Sequence, residues 1–448
     1  MSERLLSVGL DVGTTSTQLV VSALLVENLA SDFAVPEMQI TRRDVLYRSP
    51  VYFTPLLEEN LVDGTQIRRI VEHEYQKAGI SREQVDTGAI IITGETSRKE
   101  NARTVLSALS EFAGDFVVAT AGPDLESILA AKGAGAVERS REIGKPILHM
   151  DIGGGTSNLC LVQDGKILQT GCLNVGGRLV KFSDTGEVTY LSPVLEGLTS
   201  MKVGQILQQE ERRALAEQLT MALEMAAGRR EKTDLLQKLM TKEAARSWEP
   251  PGEEVQVSFS GGVADCIGKE VPALLFGDLG PELGRAIRNS SLCNGEFVLG
   301  EETIRATVIG AGCHTAQLSG STVYCQNIRF PVKNLPVAEV SGLPDLERIL
   351  QTAEEPVILS LSLSAPATYR EVIQLAEGIL ARMKPPIFLC MDQDMAKALG
   401  QALAVRTSAD APILCIDRVR VGNGSFLDIG APVGSAMPVV IKTLVLSK

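Results

Sequence analysis

Two segments of this 448-residue chain share one pattern, and that repetition limits the fold more than any other feature. Residues 5–22 run Leu-Leu-Ser-Val-Gly-Leu-Asp11-Val-Gly13-Thr14-Thr15-Ser-Thr-Gln-Leu-Val-Val-Ser. Residues 145–162 run Lys-Pro-Ile-Leu-His-Met-Asp151-Ile-Gly153-Gly154-Gly155-Thr156-Ser-Asn-Leu-Cys-Leu-Val. Each reads as apolar strand, Asp, glycine turn, hydroxyl residues, apolar strand. Glycine and β-branched residues at this density disfavour a helix and suit two strands joined by a tight turn. Two such turns imply two similar lobes that face each other.

The residue types fit a triphosphate. Gly13 lets successive backbone N–H groups face phosphate oxygens, and Thr14 and Thr15 add hydroxyls. Asp11 repels phosphate, so its presence implies a Mg2+ ion or that ion's water shell between them. A ligand-free hairpin turn would explain this first motif equally well. The second motif shifts the balance: Gly153, Gly154 and Gly155 in a row are entropically costly and contribute nothing to a core. Asp151 is the second candidate metal-site carboxylate, and Thr156 the second hydroxyl. Neither motif is a P-loop or a dinucleotide-binding turn, because no G-x-x-x-x-G-K-[ST] occurs and the glycines sit between strands. A third element, Ser258-Phe-Ser-Gly261-Gly262, is strand then double glycine and suits close passage against a base and ribose. Glu210, Arg213 and Lys232, just before it, could reach a nucleoside or could be solvated helix surface.

The remaining sequence reads as alternating strands and helices. Extended segments fall near 38–53 and helices at 65–78 (stopped by Gly79), 101–112 and 124–138 (Asp124 as cap). A long helical tract spans 203–246, interrupted near Gly228 and Thr233-Asp234. Residues 305–312 fit strand or helix equally. After about residue 326, strand and helix candidates alternate without a phosphate motif, as in a smaller α/β domain. The expected division is therefore 1–148, 149–325 and 326–448, with the last a place for partner or assembly contacts.

A formal net charge of −12 and no long basic run exclude a general nucleic-acid binder. Apolar runs such as 19–26 are too short to span a bilayer, and the N-terminus lacks the apolar core of a signal peptide. Eight cysteines show no CxxC pair or zinc-like spacing, so reduced, buried thiols and a cytoplasmic setting are expected. His73, His149 and His314 are far apart, and none marks a cobalt ligand.

The order Asp-x-Gly-Thr-Thr, Gly94-Glu95-Thr96, Asp-Ile-Gly-Gly-Gly-Thr, Ser-Gly-Gly and Gly310-Ala-Gly312 resembles the five nucleotide-site elements of the actin/Hsp70/sugar-kinase superfamily, over residues 5 to about 315. Further stretches extend the likeness over nearly the whole chain: Gly94-Glu-Thr-Ser-Arg-Lys-Glu-Asn101, Ala119-Thr-Ala-Gly-Pro-Asp-Leu-Glu126, Phe276-Gly-Asp-Leu-Gly280, Gly310-Ala-Gly-Cys-His314, Phe426-Leu-Asp-Ile-Gly-Ala-Pro432 and Pro438-Val-Val-Ile-Lys-Thr443. Here the chain resembles the ethanolamine ammonia-lyase reactivating-factor family.

That resemblance implies an α/β, ribonuclease H-like two-lobe ATPase fold of the actin/Hsp70 type with an additional C-terminal α/β domain. It implies ATP and Mg2+ as cofactors and ethanolamine ammonia-lyase as partner. The activity implied is ATP-dependent release of damaged cobalamin, so that adenosylcobalamin, handled on the partner enzyme, can rebind. It also implies ethanolamine degradation, a link to a bacterial microcompartment and a possible homo-oligomer. Carried over residue by residue, Asp11, Glu95 and Asp151 fall at catalytic positions, with Asp11 and Asp151 serving the metal. Gly13, Thr14, Thr15, Gly153, Gly154, Gly155, Thr156, Gly261, Gly262, Gly310 and Gly312 fall at the cofactor, the last two where the lobes hinge. Glu95 could orient the attacking water or hold a hinge loop.

No lysine lies in either turn, and Arg98 and Lys99 are the nearest basic candidates. Transition-state charge would then rest on Mg2+ and backbone donors, which suits slow hydrolysis. A small-molecule kinase and a filament-forming protein on the same fold are the alternatives. The first wants a catalytic Asp in a substrate cleft, the second ATP-dependent polymerisation.

Overall fold

The computed structural model describes residues 2–13, 16–30, 38–58, 61–93, 117–120, 123–242, 244–252, 254–300, 302–314, 316–320, 322–340, 342, 346, 349–350, 356–361, 368–419, 421, 425–432 and 436–443. Thr14, Thr15, the Gly94–Asn101 element with Glu95, Arg98 and Lys99, and the helix expected at 101–112 lie outside them.

The first sheet contains β1 (Ser2–Val12), β2 (Ser16–Asn28), β3 (Met38–Arg48), β4 (Tyr52–Phe53), β5 (Thr87–Ile92) and β6 (Val117–Thr120). Its order is β3-β2-β1-β5-β6, with β4 on the end of β2. The first three strands are antiparallel, whereas β5 and β6 run parallel to β1. The second sheet contains β7 (Ile147–Ile152), β8 (Ser157–Gln163), β9 (Lys166–Leu173), β10 (Gln256–Ser260) and β11 (Phe297–Leu299). Its order is β9-β8-β7-β10-β11, with the same strand senses. One topology is used twice. This is the duplicated two-lobe arrangement of the actin/Hsp70 type.

The two glycine turns close alike. Gly13 N donates to Ser16 O and Gly153 N to Thr156 O, each at 2.9 Å. Strand alternation then fixes which side chains meet the other lobe. Val8, Leu10 and Val12 of β1 pack under α1 (Gly64–Ala78), with Ile67 and Val71. Leu148, Met150 and Ile152 of β7 pack into the large core of the second lobe. The intervening residues, Asp11 and Asp151 among them, therefore point to the opposite faces of their sheets.

Between those faces lie α2 (Pro123–Gly133), α3 (Ala136–Ile143) and, from much later in the chain, α6 (Ala306–His314). The helix expected over 124–138 is thus two, with Gly135 at φ +80° between them. Asp124 is not a cap; it lies in the first turn and accepts from Thr170 Oγ1 at 2.6 Å. The ambiguous segment at 305–312 is helix. Leu129 of α2 packs with Val308 and Ala311 of α6 in the first sheet's core, while Ala131 packs with Ile147 and Cys160 of the second. The two helices cross backbone to backbone: a Cβ at Gly133 would stand 2.7 Å from Gly310 N, and one at Gly310 2.6 Å from the carbonyl carbon of Leu129. Packing therefore interleaves across residue 148, since α2 and α3 serve the second sheet and α6 the first.

Helix α4 (Gln209–Ala226) begins later than the expected helical tract and is followed by the short helices Asp234–Leu239 and Ala244–Ser247. Helix α5 (Gly280–Arg288) packs beside it with Leu283 and Ile287 in the same core. A third, eight-stranded sheet has the order Ala316–Leu318, Pro438–Thr443, Ser425–Ile429, Val332–Val340, Ile358–Leu361, Ile387–Met391, Ile413–Ile416, Tyr324–Gln326. It takes in two strands that precede or end at residue 326. Val440 of its Pro438–Thr443 strand enters the core of the first lobe.

Candidate functional site

Asp11 sits one residue from the end of β1 and is 9% exposed. Thr93 Oγ1 donates to its Oδ1 at 2.9 Å. Burial pushes the carboxyl up to about 7; the Thr93 bond opposes this and the charge of Asp151 adds to it. The turn after Asp11 is braced from behind, where Thr54 Oγ1 donates to Gly13 O at 2.7 Å.

Asp151 holds the same place on β7 and is 7% exposed. Burial pushes its carboxyl up to about 6, against hydrogen bonds from Ser260 and Thr307. Thr307 opens α6, so a helix packed on the first lobe reaches the carboxylate of the second. Behind Ser260 lies a buried relay: His149 Nε2 is 2.9 Å from Ser260 Oγ, and Nδ1 is 2.9 Å from Ser258 Oγ. An ionised carboxylate only accepts, so the Ser260 hydroxyl proton goes to Asp151. His149 must then donate from Nε2 to Ser260 and accept at Nδ1 from Ser258. Burial holds its pKa down at about 3, so it acts as a neutral spacer and not as a ligand.

The raised carboxyl pKa values set a pH dependence. In the unfolded chain both groups ionise near 4. The folded protein therefore holds extra protons between about pH 4 and 7, and stability from these groups falls as pH rises through that window. The urea midpoint of the protein without nucleotide is expected to be lower at pH 8 than at pH 5, whereas a cation held by both ionised carboxylates is expected to bind better at pH 8.

Three observations test whether this place suits a hydrated cation and phosphates. Gln18 and Asn158 lie directly opposite Asp11 and Asp151 in their ladders. Gln18 Oε1 and Asn158 Oδ1 are buried with no hydrogen-bond partner among the described residues, leaving two acceptors for bound water. The amides of Gly154 and Gly155 likewise donate to no described residue. Beside Gly155 there is open space: a Cβ there would meet nothing within 4 Å. The residues fit the group. Gly155→Ala is accordingly expected to leave the unfolding free energy in urea within about 0.5 kcal/mol of wild type, and, if phosphate enters this space, to weaken nucleotide binding.

On the expected nucleoside side, Gly261 has φ +86° and donates to Thr303 O at 2.9 Å. A Cβ on it would lie 2.7 Å from Ile152 N, so this glycine lets β10 end hard against the second turn. Gly262 is more open. Glu210, Arg213 and Lys232 are on exposed surface, with Arg213 3.8 Å from Glu282. Gly310 and Gly312, expected at the cofactor, are instead buried in packing. Gly310 meets α2, and a Cβ at Gly312 would lie 3.0 Å from Gly9 N on β1. Their smallness serves the contacts of α6 with α2 and β1, at the place expected for a lobe hinge. His73 is exposed, and His314 ends α6 with its pKa lowered to about 3, chiefly by burial and then by Arg43 and Lys132.

The structure adds Thr93, Thr307, the Ser258–His149–Ser260 relay and the Gly176-Gly177-Arg178 segment to the residues expected from sequence. That segment lies on the second turn, with Gly177 N donating to Gly153 O at 3.0 Å and Arg178 N to Gly154 O at 2.6 Å. Its second glycine pair after a strand was the available signal.

The family model for ethanolamine utilisation protein EutA matches residues 3–447. The chain belongs to that family. A Salmonella typhimurium LT2 relative, named ethanolamine ammonia-lyase reactivase EutA, is 37% identical over 475 residues, covering 99% of each chain. An Escherichia coli K12 relative of the same name is 36% identical with the same coverage. Among solved structures, the Ppx/GppA family member of Aquifex aeolicus matches with a TM-score of 0.42 at 12% identity, over 69% of this chain and 97% of its own. All eight cysteines are free, and among the described residues no helix is long and apolar enough to cross a membrane.

Proposed function

We propose that this EutA-family chain binds ATP with Mg2+ between its two glycine turns and uses slow hydrolysis to reactivate ethanolamine ammonia-lyase. One observation carries the nucleotide part: Asp11 and Asp151 are buried at matching positions of two identically wound sheets, close enough that the charge of Asp151 helps to raise the carboxyl of Asp11. The relatives' printed name supports the lyase as partner.

In this account the Gly154 and Gly155 amides donate to phosphate oxygens, while Asp11 and Asp151 hold the metal's water shell. Thr93 orients Asp11; Ser260 and Thr307 orient Asp151. Bound Mg2+ would screen the phosphate charge and polarise the phosphoryl group. Thr14, Thr15 and Thr156 add hydroxyl contacts, Gly261 and Gly262 pass the nucleoside, and Glu95 orients the attacking water. Occupancy of the cleft changes the angle between the lobes about the α2–α6 crossing. That motion loosens damaged cobalamin from the lyase, adenosylcobalamin rebinds there, and hydrolysis resets the lobes. Residues 326–448 supply the contacts to the lyase or to a second copy, and the setting is the cytoplasm, with or without the ethanolamine microcompartment.

The test is recovery of cyanocobalamin-inactivated ethanolamine ammonia-lyase on adding this protein, ATP, Mg2+ and fresh adenosylcobalamin. Recovery that needs ATP and is lost in Asp11→Ala supports the reading. No recovery with a demonstrably competent lyase would contradict it.

A further inference from the structure

Neither phosphate turn contains a cation, yet a guanidinium lies between them. Arg178 is anchored to the second turn by its backbone, and its stem runs alongside: a Cβ at Gly154 would stand 3.5–3.6 Å from the Cβ, Cγ and Cδ of Arg178. Its charged end lies 5.8 Å from the ring centroid of Phe53. Phe53 belongs to the other lobe, on β4, and pairs with Ser16, the residue that closes the first turn. Arg178 therefore starts at one turn and ends at the backing of the other.

What holds the guanidinium in this structure is Asp278, on the loop leading into α5. Arg178 Nε meets Asp278 Oδ2 at 3.3 Å, which is long for a charge-assisted bond and engages one nitrogen of the fork. The other carboxylate oxygen is committed to Gly280 N at 2.9 Å. Among the described residues the terminal nitrogens of Arg178 meet no other carboxylate, and its side chain is 28% exposed. A weakly held planar fork beside a phosphate turn suits bidentate capture of a terminal phosphate.

We propose that Arg178 is the terminal-phosphate cation of this site. Asp278 parks it when the phosphate is absent, and a terminal phosphate takes it away. Because the same guanidinium stands 5.8 Å from the exposed ring of Phe53 in the first lobe, the exchange ties the γ-phosphate to that cross-lobe approach. The inference rests on the nucleotide-binding reading and deepens it, assigning the cation that the turns themselves lack. The competing structural role, a salt bridge tying the 176–178 segment to α5, predicts a stability loss with no preference between nucleotides.

Equilibrium dialysis of the full chain with labelled ATP and ADP, each with Mg2+, separates the two. Arg178→Ala is expected to weaken ATP about 10–100-fold and ADP less than about 3-fold. Arg178→Lys, keeping the charge but not the fork, should recover part of the difference. Asp278→Asn preserves the acceptor for Gly280 N and removes the competing charge, so it should tighten ATP by about 3-fold or more. Equal losses for ATP and ADP in Arg178→Ala, or no loss for either, would overturn the proposal. Should Arg178→Ala not fold, equal ATP:ADP ratios in wild type, Arg178→Lys and Asp278→Asn would overturn it too. A wild-type chain that binds neither nucleotide would instead sink the nucleotide site itself, and this inference with it.

Discussion

Asp11→Asn should leave a protein that resists urea better than wild type at pH 8 and yet turns ATP over about 100-fold more slowly or worse. The two effects share one cause. Asp11 carries an ionised carboxylate in a place where burial pushes its pKa to about 7, so at pH 8 the folded state bears the cost of that charge. Asn keeps an oxygen to accept from Thr93 and removes the charge, for a gain on the order of 2–4 kcal/mol. The same change removes half of the carboxylate pair proposed to hold the hydrated metal, and losing a main electrostatic element of a phosphoryl-transfer site costs about 10²–10³ in rate. Urea melts at pH 8 and a steady-state ATPase assay read the two arms. A variant that loses activity and stability together would mean that Asp11 is there for the fold.

Gly310→Ala should do the reverse and damage the fold first. Its added methyl has no room: at 2.6 Å from the carbonyl carbon of Leu129 it collides with helix backbone, which cannot swing aside as a flexible side chain can. Gly133 faces α6 in the same crossing, so the two helices must separate. Overpacking of this kind costs roughly 2–3 kcal/mol. Because α2 reaches the cores of both lobes, through Leu129 and Ala131, separation there should loosen each sheet from its neighbour. The expected result is an unfolding free energy in urea lowered by that amount and a wider amide-exchange footprint over 123–133 and 306–314. Full stability in Gly310→Ala would show that the crossing has slack, and the hinge would have to be sought elsewhere.

Legibility in the sequence followed the range of the interactions. The Asp11 and Asp151 turns announce themselves because their core pattern is local: strand propensity, a glycine, a turn bond across three residues, with only the bracing by Thr54, Gly177 and Arg178 coming from afar. Their repetition was enough to give two lobes. The segment at 305–312 was undecidable because its glycines answer to Leu129 and Gly9, distant in sequence, and glycine in a helix argues against helix by propensity alone. The helix at 124–138 was misread as continuous because only the left-handed Gly135 divides it. His149 was correctly set aside as a ligand, but its role as a spacer needed Ser258 and Ser260 from β10, brought beside β7 by parallel pairing. Arg178 has only the Gly176-Gly177 pair before it as a local signal; tertiary packing lays it on Gly154.

The most direct measurement is calorimetric titration of ATP into the full chain at pH 8, with Mg2+ and then with excess EDTA. The account predicts saturable binding with Mg2+ that weakens at least about tenfold in EDTA, and the same loss in Asp11→Asn with Mg2+ present. Binding indifferent to both Mg2+ and Asp11, or no binding up to millimolar ATP, would contradict the assignment of the two facing turns as a metal–nucleotide site.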